Sequence, residues 1–106
     1  MKVINENTTL VVALSFTDED EEAVIPNSAY YSLYDVASGT AIVERTAFSP
    51  AAATHDLTIT AAQNAILDDT LDVEKKRLTV EIQFGTDNKA AVDEYIYAVK
   101  NLEGVS

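Results

Sequence analysis

His55 is the only histidine in the chain, and Asp56 follows it directly. A histidine acting as general base needs a nucleophile to activate and an acid to orient its ring. On an extended strand, neighbouring side chains point to opposite faces, so Asp56 cannot orient His55. The absence of cysteine removes thiolate nucleophiles, disulfides and thiolate zinc sites. No catalytic or cofactor-binding residue is assigned on these grounds, and the expectation is a protein that is not an enzyme. The run Asp18, Glu19, Asp20, Glu21, Glu22 offers carboxylate oxygens, with Asp68, Asp69 and Asp72 further along. Calcium takes roughly six to eight oxygens, more than consecutive acids on one loop supply, and the turning glycine of an EF-hand is missing. A solvated loop is expected, with no metal ligand assigned and the loop's cation binding left open.

Recognition of another protein is a different chemistry, and here the residues offer more. Lys75, Lys76 and Arg77 gather three of the seven basic residues. They suit either docking of a neighbouring subunit's acidic loop or protection of a strand edge. Tyr30 and Tyr34 fall on the outward side of their strand, and Ile96 lies opposite Tyr95 and Tyr97 on another. Aromatic rings supply much contact area for little entropy, so Tyr30, Tyr34 and Ile96 are expected to form an interface patch. Ordinary cross-strand packing on a half-wet face is the alternative.

These side chains need elements to position them. Leu78, Val80, Ile82 and Phe84 alternate with Thr79, Glu81 and Gln83, which predicts a strand with one face in a core. Burying each apolar side chain is worth roughly 1.5–3 kcal/mol, an upper bound. Thr8–Phe16 shows the same alternation with two fairly apolar faces, which predicts a central or covered strand. Ala29–Asp35 places Ala29, Tyr31 and Leu33 inward, and Asp35–Gly39 reads as a hairpin loop. Further strands are expected at Val3–Ile4, Thr40–Thr46, Thr54–Thr60 and Val92–Val99, with a short helix over Ala61–Leu67. About seven short strands and one helical turn predict an all-β fold, an antiparallel sandwich of immunoglobulin-like or fibronectin-III-like type.

At 106 residues the chain has room for one such domain, residues 1–106. Eighteen acidic residues against seven basic ones leave a formal charge of -11. That surface repels phosphate backbones and anionic membranes, so neither nucleic acid nor membrane is an expected partner. The N-terminal Asn5, Glu6 and Asn7 interrupt any signal-peptide core, which points to a cytoplasmic product.

Three stretches carry a resemblance: Val11–Asp18 followed by Val24–Asp35, Leu57–Thr60 with its helical turn, and Arg77–Glu81 leading to Asp93–Leu102. Their order resembles small immunoglobulin-like structural proteins of tailed-bacteriophage virions. The resemblance implies a non-enzymatic virion component made in the host bacterial cytoplasm, as capsid decoration, neck or tail subunit. It implies many copies per assembly, other virion proteins as partners, and weak self-association when free. It carries no ligand residue over to this chain. The Asp18–Glu22 loop is more acidic than the turn usual in that family. A free-standing immunoglobulin-like module that binds protein or carbohydrate at a bacterial surface is the alternative.

Overall fold

Leu78, Val80, Ile82 and Phe84 are buried, as their two-residue spacing requires. The strand they define is longer than that pattern, because Glu74 and Lys76 continue the buried series ahead of Leu78. The computed structural model describes residues 1–67 and 70–102. Its strands are β1 (Lys2–Asn5), β2 (Leu10–Ser15), β3 (Ser28–Asp35), β4 (Ala41–Phe48), β5 (Thr54–Ile59), β6 (Val73–Phe84) and β7 (Lys89–Lys100). Five form one sheet in the order β1-β7-β6-β3-β4, and β2 and β5 form a second. The arrangement is an all-β sandwich. Every pairing is antiparallel except that of β1 with β7, which is parallel over Lys2–Asn5 and Tyr97–Lys100.

The core lies between the sheets. Leu10, Val12 and Phe16 from the β2 segment and Leu57 and Ile59 from β5 meet Leu33, Leu78, Val80, Ile82, Tyr97 and Val99. The expected inward residues of β2, β3 and β5 face this cluster. Two expectations change. The segment Thr8–Phe16 is not central: among the described residues β2 pairs only with β5, and Val11 on its outer face is 55% exposed. The helix expected over Ala61–Leu67 is a single 3-10 turn, Ala62–Asn64. Thr60 and Gln63 cap it reciprocally, each accepting the other's backbone N–H on its side-chain oxygen at 3.3 and 2.9 Å.

That turn ends on Asn64, which is fully buried and ties three elements together. Its Oδ1 accepts from the Tyr97 hydroxyl at 2.6 Å, and its Nδ2 donates to the Thr8 carbonyl at 2.8 Å. Its own carbonyl accepts from the Asn7 N–H at 3.0 Å. Burial, with the neighbouring Tyr95, pushes the Tyr97 hydroxyl far above the usual phenol range, so it stays a donor. The loop between β1 and β2 is thus fastened to β7 through one amide side chain.

Candidate interaction face

On β6, outward residues alternate with the core residues, so Lys75, Arg77, Thr79, Glu81 and Gln83 face away from β2 and β5. The register carries this face across the sheet. Tyr34 of β3 is opposite Arg77, and Arg77 is opposite Ile96 of β7. Four residues along each strand, Tyr30 is opposite Glu81, and Glu81 is opposite Val92. Tyr30, Tyr34, Arg77 and Ile96 therefore share one face, and Lys75 joins them opposite Ala98.

Arg45 completes this face. It lies on β4, diagonal to Tyr30, whose direct partner there is Ala47. Its guanidinium carbon sits 3.7 Å from the Tyr30 ring centre, and its Nε donates to Glu81 Oε2 at 2.8 Å. The hydrogen bond it donates to Glu81 raises the Arg45 pKa further above its ordinary value, so the cation is permanent. Arg77 stands over Tyr34 at 5.7 Å, and its Nε is buried without a hydrogen-bond partner. Val92 and Ile96 are 64% and 40% exposed. The result is a strip of two tyrosine–arginine stacks with an aliphatic border. Arg45 was missed by sequence reasoning because its relation to Tyr30 depends on the β3–β4 register. That register shifts between Tyr31 and Tyr34.

Lys76 does not belong to this face, and its placement among surface contact residues is corrected. It is 0% exposed and points into the sandwich. Its ammonium lies 2.9 Å from Glu74 Oε1 and 3.5 Å from Asp35 Oδ1, both on buried residues. The Leu67 N–H also donates to Glu74 Oε1, at 2.8 Å, and Ser38 donates its N–H and hydroxyl to Asp35 Oδ2 at 3.0 and 2.6 Å. Asp35 thus ends β3 where the strand was expected to end, with its side chain buried. Lys75, Lys76 and Arg77 do not act as one patch, because strand alternation sends the middle residue inward.

The other candidates are separate. His55 is half-buried, its ring 5.0 Å from that of Phe48, while Asp56 is exposed on the opposite side. Asp18 Oδ1 accepts the backbone N–H groups of Asp20 and Glu22, closing the acidic loop on itself. Glu19 pairs with Lys89 at 2.7 Å, and that hydrogen bond lowers its pKa. Asp68 and Asp69, weighed with Asp72 as further carboxylates near the acidic loop, lie outside the described residues. Among the described residues, no helix is long and apolar enough to cross a membrane. No family model, curated protein or solved structure matches this chain.

Proposed function

We propose that this chain is a non-enzymatic structural protein of a tailed-phage virion, attached to capsid, neck or tail subunits through the outer face of its five-stranded sheet. The observation that carries this reading is the row Tyr34–Arg77–Ile96, flanked by Tyr30 under Arg45. Tyrosine and arginine dominate the energetics of protein contacts, and here Arg45 and Arg77 stand over Tyr30 and Tyr34 on one face. An immunoglobulin-like assignment is part of the proposal. It is supported by the order β1-β7-β6-β3-β4 facing β2-β5, by the parallel β1–β7 pairing, and by the sequence resemblance.

The test is occupancy on reconstituted particles. Replacing Tyr30 and Tyr34 together by Ser should leave far-UV circular dichroism unchanged, since both rings lie outside the core. It should weaken attachment by about 1–3 kcal/mol per site. Full occupancy of the folded double variant would remove this face from the interface. Failure of the unaltered protein to join any particle component would remove the virion reading itself.

A further inference from the structure

β7 is twelve residues long, but β1 covers its outer edge only from Tyr97 to Lys100. Among the described residues, no strand pairs with that edge between Lys89 and Ile96, and none pairs with the outer edge of β2. The two free edges border one cleft. It contains adjoining cavities of about 270 and 440 Å³, and Leu14, Val80, Ile82 and Tyr95 provide apolar lining. Val80 and Ile82 belong to the core, so the cleft opens onto the centre of the sandwich. Rows of unpaired N–H and C=O groups on both sides call for an occupant with its own backbone donors and acceptors in extended form. β1 already meets that requirement at the upper end of the same edge.

We propose that this cleft receives an extended strand from a partner protein, laid in line with β1 along Lys89–Ile96, apolar on its inner side and bearing a lysine or arginine opposite Asp93. The proposal rests on the reading of the chain as an attachment module and specifies a second kind of contact it makes. Tyr95, Asp93 and Ala91 share the inner face of β7 with buried Tyr97. A parallel strand continuing the register of β1 therefore points one side chain toward Tyr95 and the next inner one toward Asp93. Asp93 and Glu94 line the cleft, and among the described residues Lys2 is its one cationic lining residue. An inward-facing carboxylate on an edge repels uncharged and acidic strands and admits a basic one. The net charge of -11 works against a second copy of this chain as the occupant.

The probe is a peptide of about nine residues, alternating valine and threonine with a central lysine, long enough for the open edge at ~3.3 Å per residue. It is used free and also fused directly ahead of Met1, where the parallel register would lead it into the cleft. Amide hydrogen exchange should slow about tenfold or more at Val92–Tyr95 in the fused protein. The free peptide should shift the methyl resonances of Leu14, Val80 and Ile82. Asp93→Lys should abolish the effect of the lysine peptide and restore it for a glutamate-centred one. Absence of protection in the fused protein, protection confined to the Tyr30–Tyr34 face, or a second copy of the chain filling the cleft would each overturn the proposal. On particles, retained occupancy of Asp93→Lys beside lost occupancy of the tyrosine variant would refute the strand and leave the attachment reading intact. Protection by the fused strand and lost occupancy of Asp93→Lys, beside full occupancy of the tyrosine variant, would uphold the strand and remove the tyrosine face from the attachment.

Discussion

At Lys76, two buried carboxylates face one buried ammonium, and hydrogen bonds from Leu67 and Ser38 add to the pairing. Taking three charges out of water is costly, so the arrangement depends on each hydrogen bond around it. Lys76→Met would remove the cation between Asp35 and Glu74 and should lower stability by about 3–5 kcal/mol, measured by urea denaturation. Asp35 gives the cluster a pH signature. Burial is the largest influence on its carboxyl and pushes the pKa up, but the hydrogen bonds from Ser38 and the charge of Lys76 outweigh it, leaving a net depression. Its stabilising effect is fully present above the unfolded value of about 3.9 and is lost as pH falls through the lower folded value. Asp35→Asn should therefore flatten that part of the acid-unfolding profile, and an unchanged acid limb would assign it to other carboxylates. None of this cluster was legible in the sequence. Periodicity weighs apolar residues, so Lys76 read as surface and nothing marked Asp35 and Glu74 as buried, even though each occupies an inward strand position.

The elements themselves were legible where apolar alternation is strict. The series Leu78–Phe84 marked β6, and Leu10, Val12, Leu57 and Ile59 marked β2 and β5, because each faces the same core. The strands ran longer than expected where the inward positions are polar or uncovered: Glu74 and Lys76 at the start of β6, Lys89 and Ala91 at the start of β7. The parallel β1–β7 pairing had no local signature, since it joins residues about ninety-five positions apart. The Tyr30–Tyr34 spacing showed two rings on one side of a strand; only the register brought Arg77, Arg45 and Ile96 to them. Val80 is the sharpest test of the element it sits in, being central in β6 and paired on both sides, with Tyr31 and Asp93. Val80→Asp places a carboxylate against the core at a cost of several kcal/mol, a large share of a total near 5–15 kcal/mol. The expected outcome is loss of the native circular dichroism spectrum. A soluble variant with unchanged melting would mean that Val80 faces the cleft with enough water to stay charged.

The whole molecule is a rod-like sandwich, 51 × 21 × 21 Å, carrying a formal charge of -11. Charge of one sign on so narrow a body keeps copies apart when salt is low, because the Debye length is then about 30 Å at 0.01 M. At about 0.15 M it falls to roughly 8 Å, shorter than the width of the rod, and long-range repulsion between copies largely disappears. What remains is local complementarity, and two copies offer little of it. Asp93 and Glu94 on one open edge would meet the same residues on the other, and the arginines of the outer face are engaged on its tyrosines. Sedimentation velocity should therefore show a monomer at both salt concentrations, with no dimer emerging as screening increases. Attachment to a receiving surface that supplies basic side chains should respond in the opposite sense to repulsion, weakening as salt rises. A dimer at about 0.15 M that Asp93→Lys disrupts would show that the open edge of β7 serves this chain's own copies rather than a foreign strand.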